Sequence, residues 1–377
     1  MNRTLVPVYF ASRLTLLGAV FITAVFCGNS SSKAGSLGAV LATFPFQSTD
    51  FLADPSQPYM YVSTKTNALE VVNTNTLAVV TTIPLRGAPL GMALSPDGRT
   101  LYVADSTNRS VDLISTSTLT VSNSLATTGE VTDVAVGLNN RLFVLDANNG
   151  GSVQQIDATT GAVVGPTVTG ISAVSLSGDL KISPDRKTLY YSDHGISLGH
   201  IEAYDVSTTS PSLLREVSPG SDGQGTALST SGGLIADPCG SPDSITLYNA
   251  SNFSSLDAFN LGNGRPNNVA FNPSGTVTYV AELEGNFGQI DVFDNGTFAD
   301  VAHFSTLGET AAMQVDPTGR KLFVAFNDPA SKSTVVYDTG VPEPATSLLL
   351  LLGGAVAMTR VRRRDRSTRT APPFPRC

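Results

Sequence analysis

A polar turn followed by a short apolar strand returns seven times along this chain, and that recurrence constrains its folding more than any other feature. The pattern starts at Asp54 (DPSQPYMYVST), Ser95 (SPDGRTLYVAD), Gly137 (GLNNRLFVLD) and Ser183 (SPDRKTLYYSD), and again at Ser229 (STSGGLIAD), Asn272 (NPSGTVTYVAE) and Asp316 (DPTGRKLFVAF). Successive starts lie 41, 42, 46, 46, 43 and 44 residues apart. One such unit cannot bury its apolar face alone, so neighbours must stack. A period of about 40–50 residues with several short strands per unit is the signature of radially repeated four-stranded sheets. Seven units therefore predict an all-β, seven-bladed β-propeller.

The strands inside a unit are legible from β-branched and aromatic runs bounded by turn residues. An apolar stretch precedes each turn: Phe51–Ala53, Leu90–Leu94, Val131–Val136, Asp179–Ile182, Gly225–Leu228, Asn268–Phe271 and Thr310–Val315. These are the expected innermost strands. The LYVA-type strand comes second, and a third often ends in Asp or Asn, as in Val153–Asp157 and Thr334–Asp338. A fourth, such as Leu119–Leu125 or Ala162–Val168, belongs at the rim. The last unit runs out at Thr339 without an outer strand, and Gly38–Phe46 is free to supply it. Such a closure removes the open edges that a strand repeat otherwise presents.

The net charge of −8 hides a segregation: no acidic residue precedes Asp50, and seven arginines lie at or after Arg360. Residues 35–340 carry 13 basic and 29 acidic groups, a net of −16. An acidic body speaks against nucleic acid or an anionic membrane surface as partner and permits a cation such as Ca²⁺. No cofactor is expected. Of the three cysteines, Cys27 and Cys377 lie in the terminal segments, so no disulfide is expected within the body.

Met1–Ala34 reads as a secretory signal peptide, with Arg3 and Arg13 before the apolar run Leu14–Cys27. Ser32 and Ala34 put small residues at the −3 and −1 positions ahead of Gly35. At the other end, Val341–Pro342–Glu343–Pro344 opens a module that continues through the apolar run Ala345–Met358 to Arg360, Arg362, Arg363 and Arg364. As a helix that run is about 21 Å long, short of the roughly 30 Å hydrocarbon core. The arginines would hold its far end on the cytoplasmic side, and the prolines keep the junction extended.

SPDGRTLYVAD, with Gly87–Ala88–Pro89 upstream, resembles the YVTN family of seven-bladed propellers, and Gly264–Arg265–Pro266–Asn267 before NPSGTVTYVAE repeats the same grammar. The likeness covers most of Asp54–Thr339 and is weakest at Ser229–Asn249. The C-terminal module is similar to the PEP-CTERM sorting signal of Gram-negative bacteria. That resemblance implies an exosortase-type processing enzyme as partner and transient inner-membrane anchoring through residues 345–359. It also implies a final place at the cell surface or outside. The organisation that follows is a signal peptide (1–34), a propeller (35–340), a sorting signal (341–364) and a basic cytoplasmic tail (365–377).

Catalytic constellations are thin. The three histidines, His194, His200 and His303, show no helical metal-site spacing, and the chain has no GxxxxGK, GxSxG, HExxH or CxxC. One column of the repeat does stand out. The residue closing the LYVA-type strand is Asp105, Asp146, Asp193, Asp237 or Glu282 in five repeats, and Thr64 or Phe326 in the others. The YVTN resemblance places the following loop on the face where ligands bind, with His194 beside it. Two readings stand. Each carboxylate caps its own turn, or together they form a partial acidic ring for a cation, with Arg86 and Arg265 on the same face. Two function classes follow. The first is an exported, surface-sorted binding or structural protein with an envelope or matrix partner. The alternative is a metal-dependent, lactonase-like hydrolase with its site at the channel mouth.

Overall fold

The computed structural model describes residues 35–146, 152–168, 177–194, 199–220, 225–240, 243–261, 264–284, 287–327 and 333–340. Within these, 27 strands form seven antiparallel sheets, six of them four-stranded. The signal and sorting segments lie outside the described residues, as does the apolar run at 345–359. Among the described residues no helix is long and apolar enough to cross a membrane.

Each blade is built in chain order from inner strand to rim, and its turns explain why. In blade 2 the inner strand Pro89–Leu94 turns through Ser95–Pro96–Asp97–Gly98 into Thr100–Asp105. Ser95 Oγ donates to Asp97 and accepts from the Thr100 amide at 2.9 Å, while Gly98 takes φ 68°. Glycine is favoured there because a Cβ is strained in the left-handed region. Blade 4 places Arg186 at that position with φ 60°, and its Nη1 donates to Val136 O of blade 3 at 2.9 Å. The Asp or Asn closing the third strand also has a local task. Asp157 Oδ1 accepts from the amides of Thr159 and Thr160, and Asp294 Oδ1 from those of Gly296 and Thr297.

The two faces of every blade are apolar, and one cluster fills each gap around the ring. Leu69, Val71 and Ile83 of blade 1 meet Leu101, Val103 and Ile114 of blade 2. Between the last blade and the first, Phe323, Ala325 and Val336 pack on Phe51, Met60, Val62 and Val72. Each fully buried side chain of this kind contributes roughly 1.5–3 kcal/mol. Beside their apolar cluster, the third and fourth blades share a polar tie: Arg141, 3% exposed, donates to the carbonyls of Val206 and Thr208.

The N-terminal segment closes the ring. Val40–Phe44 pairs antiparallel with Thr334–Asp338 and completes the last sheet as its outer strand. Thr334 Oγ1 lies 2.5 Å from Ser48 Oγ and donates to Phe46 O, fastening the first blade to the last. One expected rim strand is not built. Ala162–Val168 makes only two isolated bridges to the third strand of blade 3, which therefore stays three-stranded. Pro166 lies in the middle of that run and has no amide to donate. Its carbonyl instead accepts from Gln155 Nε2 at 2.6 Å.

Candidate functional site

The acidic column is buried, not displayed. Asp105, Asp146, Asp193 and Glu282 are each at most 5% exposed and lie at or within two residues of the end of the second strand of blades 2, 3, 4 and 6. Three of them press against a glycine in the loop that enters the inner strand. A Cβ on Gly87 would fall 2.0 Å from Asp105, one on Gly129 1.8 Å from Asp146, and one on Gly264 2.1 Å from Glu282. Asp105 accepts backbone hydrogen bonds from Asn108, at 3.1 Å, and from Gly87. It ties its own turn to the loop arriving from blade 1. Burial raises its pKa against those two hydrogen bonds.

Asp237 does not belong to the column. The first turn of every blade is closed by an amide-to-carbonyl bond, such as Ser95 to Thr100, Asn272 to Val277 and Ser229 to Leu234. Counting from that bond, the position of Asp105 and Glu282 falls on Cys239 in blade 5, and Asp237 takes the place of Val103. The sequence pattern is short by two residues because STSGGLIAD carries its acid before the strand ends. Asp237 is 3% exposed in a slot that is apolar in the other blades, and Thr226 Oγ1 donates to it at 2.7 Å. Cys239 is a buried thiol that forms no disulfide.

The remaining sequence-derived candidates separate. His194 ends the second strand of blade 4 opposite Ser177, and its side chain lies outside the described residues. His200 is on the neighbouring strand, with Nδ1 3.1 Å from Ser218 Oγ. Arg265 opens the inner strand of blade 6 and is exposed. Arg86, also exposed, lines a groove of about 510 Å³ between the rims of blades 1 and 2, together with Asp112, Val121, Ser122 and Ser124. The sorting-signal residues lie outside the described residues.

The polar groups that do face one another are on the inner strands. Register places Asp50, Asp133, Asp179, Asn268 and Ala312 at equivalent positions in blades 1, 3, 4, 6 and 7, with Gly91 and Gly225 at the position in blades 2 and 5. The glycines make room: a Cβ on Gly91 would stand 1.9 Å from Asp133 Oδ1. Asp133 accepts from the amides of Val134 and Leu180 at 2.8 and 2.7 Å, and so joins blade 3 to blade 4. Asn268 likewise donates to Ala311 O of the next blade at 3.0 Å. Lys181, two residues beyond Asp179, shares its side of the strand.

These groups sense one another across the channel. Burial pushes the Asp50 carboxyl up to about 7, with Asp133 and Asp179 adding to the rise and Lys181 opposing it. Burial also pushes Asp133 up to about 6. Burial by itself would lower the Lys181 ammonium, but Asp179, Asp133 and Asp50 together raise it. Three carboxylates against one ammonium make a channel wall that favours cations. This column was readable in principle, since it stands one register step from the acidic column across the turn. It becomes visible only when inner strands are aligned through their bulges.

The described architecture agrees with known proteins. Over 257 aligned residues the chain is 27% identical to the "Seven-bladed beta-propeller protein Rv1057" of Mycobacterium tuberculosis, covering 58% of this chain and 64% of that protein. It thus spans slightly less than two thirds of that relative's length. Residues 239–337 match the family pattern described as eukaryotic translation initiation factor eIF2A, over well under half of the chain. Among solved structures it is similar to Kuenenia stuttgartiensis hydrazine synthase, at 16% identity and a TM-score of 0.64, covering 81% of this chain and 100% of that one. It is also similar to the β-propeller domain of Cps50 (Swd1) from Myceliophteria thermophila, at 12% identity and 0.67, covering 80% and 99%. At these identities the structural likeness bears on the fold alone. The chain is a seven-bladed β-propeller.

Proposed function

We propose that this propeller is an exported, surface-sorted binding or structural protein of a Gram-negative envelope or extracellular matrix, of the YVTN type, released from a PEP-CTERM anchor by an exosortase-type enzyme. The observation that carries the reading is where the body begins and ends. The Gly38 amide donates to Asp338 O at 2.9 Å, so both ends of the ring leave from one blade. Cleavage after Ala34 and near Val341 would leave every strand of the seven described sheets in place. A propeller fold suits a binding or structural role in general. The test replaces Pro342–Glu343–Pro344 with alanines in the expressed full chain. An unprocessed, membrane-held precursor is expected, and a mature species of unchanged size and release would overturn the sorting reading.

A second reading is supported by the channel column: a lactonase-like hydrolase using Asp50, Asp133 and Asp179 around a bound metal. Its fit is limited, because both oxygens of Asp133 already accept backbone amides. Hydrolysis of a simple lactone that is lost in Asp50→Asn and Asp179→Asn would favour it. Absence of turnover with Ca²⁺, Mn²⁺ or Zn²⁺ added would remove it.

A further inference from the structure

The third and outer strands of blade 6, Phe287–Asp294 and Ala299–Ser305, are joined through a β-bulge. Asp291 stands opposite His303 and Phe293 opposite Asp300, leaving Val301 as the extra residue, 57% exposed. In a regular strand, residues three apart point to opposite faces. The bulge cancels that alternation and brings Asp300 and His303 to the face of Asp291. One ligand atom from each of the three lies within 4.8 Å of the others.

The same bulge recurs in other blades, where the corresponding trio has a different composition. It is Glu70, Val79 and Thr82 in blade 1, Asp112, Val121 and Ser124 in blade 2, and Thr246, Ser255 and Ala258 in blade 5. In blade 1 the acid is satisfied across the strands: Thr82 Oγ1 donates to Glu70 at 2.7 Å. In blade 2 Ser124 serves Asp112 in the same way. Blade 6 puts an imidazole where those hydroxyls stand, and adds a second carboxylate. Asp291 is 4% exposed, and Oδ1 accepts from Gln289 Nε2 at 2.7 Å, leaving Oδ2 without a hydrogen bond among the described residues. Among the described residues, no hydrogen bond or ion pair joins any two of the trio. Three donor groups thus converge without satisfying one another, one of them nearly buried.

We propose that Asp291, Asp300 and His303 bind a divalent transition-metal ion, with Zn²⁺ as the best match, at the rim of blade 6. Two carboxylate oxygens and one imidazole nitrogen suit zinc better than calcium, which takes six to eight oxygen ligands. Three protein ligands leave a position open for water or for a side chain of a partner. Gln289 holds the Asp291 carboxylate through its hydrogen bond, as outer-shell partners of metal ligands do. The site is separate from the channel column and does not depend on the function proposed above.

The test is Zn²⁺ titration of the full chain by calorimetry, with Co²⁺ absorption as a second readout. One strong site is expected, with a visible Co²⁺ spectrum that Zn²⁺ abolishes and that a tenfold excess of Ca²⁺ leaves intact. His303→Ala should weaken binding at least tenfold and Asp300→Asn to a smaller degree, while His200→Ala leaves it unchanged. His303 and Asp300 are exposed, so both variants should melt like the parent protein without metal. Undetectable Zn²⁺ binding, or undiminished binding in His303→Ala, would overturn the proposal.

Discussion

Blades 2 and 5 share a backbone plan and spend their polar residues differently. Blade 2 puts its acid, Asp105, at the end of the second strand against Gly87, and keeps Val103 fully buried in the apolar gap to blade 1. Blade 5 places a thiol, Cys239, where that acid would be and an acid, Asp237, where the valine would be, with Thr226 as its hydrogen-bond partner. The contrast shows that a blade tolerates a carboxyl group at either place, provided a donor has been built opposite it. The motif letters report that an acid is near the strand end. The register reports which face it occupies.

Moving the acid without its donor should break blade 2 most severely. Val103→Asp buries a carboxylate in the cluster formed with Leu69, Val71 and Ile114, with no threonine in the place of Thr226. Chemical denaturation should show a loss of about 3–5 kcal/mol, the cost of an unpaired buried charge. A loss below about 1 kcal/mol would mean that this slot is open to water and the comparison false.

Removing the acid where it is used should cost less. Asp105→Ala leaves the amides of Gly87 and Asn108 without their acceptor, for an expected loss of about 1–3 kcal/mol. Asp105→Asn keeps an acceptor oxygen and should retain most of that stability. Equal losses in the two variants would show that the charge, and not the acceptor, matters.

Converting blade 5 to the pattern of blade 2 should be milder again. Asp237→Val together with Thr226→Val removes both members of a buried pair, which is often close to neutral. A change within about 1.5 kcal/mol is expected from the same denaturation measurement. A larger loss would show that Asp237 holds more than Thr226.

A separate, pH-dependent effect concerns the channel, where neither blade contributes an acid and Gly91 and Gly225 stand in the column. The folded-state values of Asp50 and Asp133, about 7 and about 6, lie above their ordinary 3.8. Between these limits the folded protein holds protons that the unfolded chain releases, so stability falls as pH rises. This contribution is complete below about pH 4 and fades through pH 6–7. Asp50→Asn should flatten the upper part of that slope when stability is compared at pH 5 and pH 8. An unchanged slope would remove Asp50 from the account.

Much of the fold was legible because turns and strands are local. Asp97–Gly98, Asp157 and Asp294 act through bonds to amides a few residues away, so their spacing along the chain carries the blade count. Closure by the N-terminal segment was legible as well, from the outer strand missing after Thr339. The candidate site was less so. Asp105, Asp146 and Glu282 stood out as a column, but nothing in the spacing says that each is buried against a glycine more than ten residues upstream. Asp50, Asp133, Asp179 and Lys181 form no local motif because they come together only across the ring, from blades 1, 3 and 4. Asp291, Asp300 and His303 share a face only because Val301 bulges out.

By itself, then, the sequence determined a ring of seven sheets and where the chain should close it, since β-periodicity and turn chemistry act over a few residues. The tertiary structure decided what each polar residue does. A carboxyl group becomes a loop cap, a channel charge or a metal ligand according to the donors brought against it, and those come from other strands and other blades.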